Sequence, residues 1–303
     1  MTDNTAFKAG YAALIGRPNV GKSTLMNRLV GQKIAAVSPR PQTTRNRQLG
    51  ILTTDEAQII FMDTPGIHEP VHKLGEYMNK VAEATLRDAD ILVWMVDGST
   101  LPNPEDERAA ARITALKRQP PTFLLLNKAD TADGGDREAI ERSYQMLVPN
   151  AKALWISAVS GINCDKLVSE LIQALPEGDA IYDEDSVTDA YERDIAVELI
   201  RESALKYLRD EIPHSMAIRI DEFTEREDGS AYIHATLMVE KENHKGIVIG
   251  KGGQMLKTIG TAARQEIEDM SGRKVFLELR VKVNEDWRNK SDALAWLGYK
   301  QKK

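Results

Sequence analysis

The stretch "GRPNVGKST", residues 16–24, follows the apolar run "YAALIG" and precedes a segment of helical periodicity. A glycine-rich loop between a strand and a helix, with the spacing GxxxxGK[ST], is a phosphate-binding loop. At ordinary residue usage the pattern arises by chance in roughly one chain in a hundred of this length. Its glycines let backbone N–H groups face a phosphate, aided by the positive end of the helix that follows. Lys22 is expected to reach the β- and γ-phosphates, and the Ser23 hydroxyl to hold Mg2+. Gly16, Arg17, Pro18, Asn19, Val20, Gly21 and Thr24 complete the expected contact set.

The first 175 residues alternate short apolar runs with amphipathic stretches, the pattern of a mostly parallel sheet with helices on both faces. Strands are predicted at "YAALIG", "GILTT", "AQIIFMD", "DILVWMVD", "TFLLLNK" and "ALWISA", with helices near 22–30, 72–88, 104–117, 136–147 and 163–174. Runs without alternation, such as "ILVWMVD", suit burial on both faces.

The phosphate loop alone leaves the base undecided, and "NKAD", 127–130, decides it. It directly follows a strand, where side chains line a ligand crevice. Asp130 can accept the N1–H and 2-amino donors of guanine, which adenine does not present together. Asn127 can bond the other side of the ring, and the Lys128 stem can cover its face. "DTPG" supplies Asp63 for a Mg2+ contact through water, Thr64 and Pro65 as further GTP contacts, and Gly66, whose N–H can approach the γ-phosphate with no Cβ in the way. Ser157 and the Ala158 N–H are assigned to the guanine carbonyl. Within "RPQTTRNR", Thr44 is the expected last Mg2+ ligand and Thr43 its competitor. Lys22, Thr44, Gly66 and Asn19 form the expected catalytic set.

These elements, in this order over 1–175, resemble the translation-factor-like branch of P-loop GTPases. Where a Ras-type enzyme carries glutamine this chain has Ile67, which cannot orient a water by hydrogen bonding. Asn19, together with the absent glutamine, is similar to GTPases that recruit K+ beside the phosphates.

Net charge is −6 for the 303 residues, but its distribution is uneven: −1 over 1–178, −10 over 179–228 and +5 over 229–303. A basic C-terminal quarter is where a polyanion is expected. Six Asp or Glu between Glu177 and Asp189 mark 176–188 as a solvated linker. From 189 to 303 the order is helix, two strands, helix, "GKGG", helix, strand, closed by a short helix in "EDWRNKSDALAWLG".

The sequence "GIVIGKGGQMLK" has no [ST] after its lysine, which disfavours a second nucleoside triphosphate site. Helix-GxxG-helix inside α-β-β-α-α-β order resembles a KH domain of the bacterial type, an α+β fold whose loop clamps about four nucleotides of single-stranded RNA. Gly250, Lys251, Gly252 and Gly253 are the expected clamp, bordered by Lys257 and Arg264, and Trp287 and Arg288 extend the surface by stacking and phosphate contact. Core packing is expected of at least two of Ile247, Val248 and Ile249.

The joint architecture, "PQTTR" and "NKAD" followed by a linker and "GIVIGKGG", resembles the Era family over essentially the whole chain. The resemblance implies binding near the 3′ end of small-subunit ribosomal RNA and a role in assembling the small ribosomal subunit. GTP with Mg2+ is then expected to order 33–47 and 64–75 and to change how the second domain sits on the first. The rival reading is a signalling GTPase whose second domain docks a protein or a membrane surface.

The single cysteine, Cys164, excludes an intramolecular disulfide and a thiolate metal cluster. His68 and His72 are read as polar residues of a solvated turn. A polar N-terminus and the lack of an apolar run of about 18 residues predict a cytoplasmic protein. A monomeric state and a peripheral contact at the inner face of the cell membrane complete the expectations.

Overall fold

A strand that buries every residue must be covered on both faces, and both Ala57–Asp63 and Ile91–Asp97 do so. The computed structural model describes residues 6–38, 40, 43–131 and 136–299. Its larger sheet has strands β1 (Lys8–Ile15), β2 (Gln48–Thr53), β3 (Ala57–Asp63), β4 (Ile91–Asp97), β5 (Thr122–Asn127) and β6 (Lys152–Trp155). They lie in the order β2-β3-β1-β4-β5-β6. β2 runs antiparallel to β3, and every other pair is parallel. The associated helices are α1 (Lys22–Val30), α2 (Lys73–Asp88), α3 (Pro104–Thr114), α4 (Arg137–Leu147) and α5 (Cys164–Ala174).

β1 lies between β3 and β4, so the chain departs from its C-terminal end toward opposite sides in turn. That reversal opens a crevice, and ligands of open α/β sheets bind there. The core behind it is mostly aliphatic, and within it Trp94 meets Tyr144 edge to face at 5.8 Å, both fully buried. Ile67 belongs to this core at 0% exposure, so its role is packing.

The second sheet has strands β7 (Ala217–Glu225), β8 (Ala231–Val239) and β9 (Val275–Val283), with β7 antiparallel and β9 parallel to β8. Around it come α6 (Glu192–Tyr207), α7 (Glu242–Ile249), α8 (Gln254–Ser271) and the short α9 (Ser291–Trp296). Ile259, Ala263 and Ile267, four apart, form the buried stripe of α8. The α-β-β-α-α-β order expected from sequence is the order found.

Two compact units result. One gathers the described residues of 1–33, 44–69 and 78–189, the other those of 34–43, 70–77 and 190–303. Within the second unit the Val37 N–H donates to Glu202 Oε2 at 3.0 Å and the Lys73 N–H to Asn289 Oδ1 at 3.3 Å. Tyr77 meets Tyr299 edge to face at 5.8 Å. Both excursions lie inside the stretch read from sequence as one uninterrupted domain.

The acidic stretch read as a solvated linker is also tied by its backbone to the larger sheet. The Val187 carbonyl accepts from the Ile51 N–H at 2.9 Å, Thr188 Oγ1 donates to the Leu49 carbonyl at 2.7 Å, and Gln58 Oε1 accepts from the N–H groups of Ile181 and Tyr182. Its carboxylates stay in solvent while its backbone covers the exposed edge of β2, which would otherwise offer unpaired amides.

Candidate nucleotide site and nucleic-acid surface

At the end of β1 the loop can close only with glycine at two points. A Cβ on Gly16 would stand 2.2 Å from the Met95 carbonyl oxygen, and one on Gly21, at φ 106°, 2.5 Å from Asn127 Nδ2. Asn19 takes a left-handed φ of 64° and is exposed, while Val20 anchors the loop at 0% exposure. Lys22 is buried, and its Nζ donates to the carbonyls of Gly16 at 3.2 Å and Arg17 at 3.0 Å. The ammonium thus lies across the mouth of its own loop. Burial lowers its pKa, against the opposing pull of the Asp63 carboxylate.

The segment after β3 presses on this loop from the other side. A Cβ on Gly66 would come 2.7 Å from the Pro18 nitrogen, and Thr64 Oγ1 fastens the turn to the Leu14 carbonyl at 2.8 Å. His68 corrects the solvated-turn reading: it is 9% exposed, with Nδ1 2.8 Å from the Gly66 carbonyl, and Asn79 Nδ2 donates to its carbonyl at 2.8 Å.

Ser23, Thr44 and Asp63 converge. Ser23 Oγ donates to Asp63 Oδ2 at 2.6 Å, Thr44 Oγ1 donates to the same oxygen at 3.1 Å, and the two hydroxyls stand 3.0 Å apart. Asp63 Oδ1 is buried with no hydrogen-bond partner. Burial raises the Asp63 pKa, with Lys22 and the two hydroxyls opposing. Hard oxygen donors gathered on a buried, incompletely satisfied carboxylate fit Mg2+. Thr43 faces elsewhere, its Oγ1 donating to the Arg40 carbonyl at 2.7 Å.

On the base side, Asn127 ties loops together. Its Nδ2 donates to the Val20 carbonyl at 2.7 Å and its Oδ1 accepts from the Ala158 N–H at 2.9 Å. These bonds use one of the two Nδ2 hydrogens and leave the other for a base, whereas the Ala158 N–H is already given to Asn127 Oδ1 and would reach a guanine carbonyl only by sharing itself. Ser157 is buried and its Oγ accepts the Ser160 N–H at 3.0 Å, a structural role for its side chain. Lys128 takes a left-handed φ of 71°, and Asp130 is exposed beyond it.

Sequence reasoning missed two residues here. Arg28 of α1 donates through Nε to the Ala158 carbonyl at 2.7 Å and through Nη2 to the Val159 carbonyl, gripping the loop after β6. No spacing signals that contact. Asp97, ending β4, accepts from Lys128 Nζ at 2.6 Å, and its position at a strand end beside "NKAD" was the available clue. Burial pushes its carboxyl up, but hydrogen bonds from Lys128 and Ser99 outweigh this and hold it below the ordinary range.

In the second unit, α7 stops at Gly250, φ 74°, and Gly252 and Gly253 follow at 60° and 79°. L-residues with a Cβ rarely adopt such angles, so the loop depends on glycine. A Cβ on Gly250 would meet Met255 Cβ at 2.7 Å, whereas Gly252 and Gly253 have nothing within 4 Å. Lys251 and Lys257 are exposed. Arg264 is paired with Glu268 at 2.6 Å and borders a cavity of about 480 Å³ between α8 and β9, lined also by Tyr232, Lys274 and Phe276. Phe276 is half exposed, with the Arg226 guanidinium 4.4 Å from its ring centroid.

Two assignments to this surface are corrected. Trp287 is fully buried, donates Nε1–H to the Ser215 carbonyl at 2.8 Å and stacks on Tyr299, so its ring is closed to a nucleobase. Arg288 spends its guanidinium on Glu240 in a two-pronged pair at 3.0 and 2.6 Å. Val248 is fully buried and Ile249 partly buried, while Ile247 is 50% exposed.

A family model described as 50S ribosome-binding GTPase matches residues 11–128, and a KH domain model matches 211–288. GTPase Era of Ruminiclostridium cellulolyticum is 46% identical over 298 residues, 98% of this chain and 99% of that relative. GTPase Era of Caldicellulosiruptor saccharolyticus is 48% identical over 299 residues, with 98% and 99% covered. The crystal structure of Era in complex with MgGDPNP and nucleotides 1506–1542 of 16S ribosomal RNA aligns with TM-score 0.92 at 39% identity, covering 97% of this chain and 99% of that one. A tyrosine-to-alanine variant of Aquifex aeolicus Era bound to GDP·AlF4− aligns with TM-score 0.91 at 39% identity, with 97% and 99% covered.

Proposed function

Because the chain belongs to the Era family of GTPases, enzymes that convert GTP to GDP and phosphate, we propose that it is a nucleotide-controlled binder of small-subunit ribosomal RNA near the 3′ end. Its place is the assembly of the small ribosomal subunit. The observation that carries this reading is the presence in one chain of an enclosed phosphate loop, with Lys22 across its mouth, and an exposed "GKGG" loop between two helices. The relative solved with a 16S ribosomal RNA segment supports the choice of RNA.

Ser23, Thr44 and Asp63 would hold Mg2+, which would supply positive charge to the phosphates of the nucleotide. Lys22 exchanges its two loop carbonyls for phosphate oxygens. Asp130 takes the two guanine donors, and the Lys128 stem covers the base. Ile67 is buried in the core and cannot orient the attacking water, so catalysis would lean on stabilising phosphate charge: the Gly66 N–H toward the γ-phosphate, and a K+ ion that Asn19 would help to hold beside the phosphates as added positive charge. Equal hydrolysis rates in sodium and potassium buffers would remove the potassium.

Gly250, Gly252 and Gly253 admit an RNA phosphate close to the backbone, with Lys251 and Lys257 adding charge. Replacing Lys251 and Gly252 together with Asp is expected to abolish binding to a 16S 3′ segment while GTP hydrolysis stays measurable; intact RNA binding would sink the reading. Control by nucleotide is supported by unit membership: the described residues of 34–43 and 70–77 fall in the unit that carries "GKGG", while Thr44 and Gly66 fall in the unit that carries the phosphate loop. Equal RNA affinity with GDP and with a non-hydrolysable GTP analogue would refute that control.

The protein acts as a cytoplasmic monomer. Among the described residues no helix is long and apolar enough to cross a membrane, so any membrane contact in this reading is peripheral, and co-sedimentation with vesicles tests it.

A further inference from the structure

A carboxylate outside the motifs of the nucleotide site links two of them. Asp97 is 7% exposed at the end of β4. Its Oδ2 accepts from Lys128 Nζ at 2.6 Å and lies 3.5 Å from Arg17 Nη2. Its Oδ1 accepts from the N–H and the hydroxyl of Ser99, at 3.0 and 2.6 Å. Arg17 also reaches Asp106, Nε to Oδ2 at 3.3 Å, and that carboxylate accepts from the Tyr144 hydroxyl and the Asn103 N–H, each at 3.2 Å. One anion therefore serves a residue of the phosphate loop and a residue of the base loop, and a second, buried anion braces the first of these from behind.

We infer that Asp97 is a positioning residue for the guanine nucleotide, holding the Lys128 side chain in place and sharing Arg17 of the phosphate loop. The inference rests on the reading of Lys128 as the cover of the base, and Asp97 acts through Lys128 and Arg17. Three features distinguish this arrangement from an ordinary surface ion pair. The carboxylate is almost fully withdrawn from water, which strengthens its attraction for a nearby cation relative to an exposed pair. The two Ser99 donors fix the rotation of the carboxylate, so Oδ2 faces Lys128 in advance. Lys128 sits at φ 71°, where a lysine backbone gains nothing locally; its long, flexible stem needs an external anchor to stay in one place.

The expected consequence is slower nucleotide release without a change in chemistry. In the full-length protein Asp97→Asn is expected to speed dissociation of fluorescent GDP about tenfold and to raise KM for GTP by a similar factor, while kcat stays within about twofold. Lys128→Met is expected to speed release by itself. In that background Asp97→Asn should add less than about threefold, because residues in one network do not contribute independently. Asp97→Glu should fall between wild type and Asn.

The inference is overturned if Asp97→Asn releases GDP at the wild-type rate while Lys128→Met does not. It is equally overturned if Asp97→Asn has its full effect with Met at 128, or if kcat falls together with the melting temperature, the mark of a purely structural carboxylate. Wild-type release from Lys128→Met would instead overturn the reading of Lys128, and the inference with it.

Discussion

The two glycine loops of this chain take similar backbone liberties for different reasons. In "GRPNVGKS" the space is already full: a methyl group at Gly16 or Gly21 would collide with the Met95 carbonyl or the Asn127 amide. In "GKGG" only Gly250 is crowded; Gly252 and Gly253 look onto open solvent and are required by their torsion angles. An enclosed loop surrounds the end of a small molecule, and its shape is enforced by everything packed behind it. An open loop meets a long chain from one side, where one phosphate after another can pass. The word "glycine-rich" covers both, and the surroundings separate them.

The sharpest way to break this contrast is Gly21→Ala. The added methyl must displace Asn127, on which the Val20 carbonyl and the Ala158 N–H both depend. The expected loss is about 3 kcal/mol, roughly a hundredfold in GTP affinity by titration calorimetry, with RNA affinity in the absence of nucleotide unchanged. Gly252→Ala meets no atom and suffers only from its left-handed φ, so RNA affinity should fall by about 1–2 kcal/mol while GTP affinity holds. A loss as great as that of Gly21→Ala would mean that "GKGG" is enclosed in use. Smallest is Lys257→Ala: an exposed cation offering one phosphate contact should lower the slope of log affinity against log salt by about 0.7 for a single strand. An unchanged slope would place Lys257 outside the RNA path.

Much of the fold was legible because the phosphate loop demands a strand before it and a helix after it. α1 spans Lys22–Val30, the bounds read from sequence, and Gly31 in the left-handed region ends it. β3 and β4 were legible from unbroken apolar runs, since burial on both faces leaves no room for alternation. Thr44 could be told from Thr43 only in three dimensions, because adjacent hydroxyls in an irregular segment have no periodicity to assign their directions. Trp287 and Arg288 were misread for a related reason. A tryptophan beside an arginine in a basic tail has the composition of an RNA surface, yet their partners, Ser215 and Glu240, lie 72 and 48 residues away. Arg28 was invisible on the same ground: it holds carbonyls 130 and 131 residues downstream.

The membership of 34–43 and 70–77 bears on how this protein can be divided. A cut at Ala190 yields every residue of the KH match but leaves behind the Val37 amide that meets Glu202, the Lys73 amide that meets Asn289 and the Tyr77 ring that meets Tyr299. The fragment is therefore less than the unit it is meant to represent. A weak RNA affinity measured on it would report missing chain as much as it reports the loop.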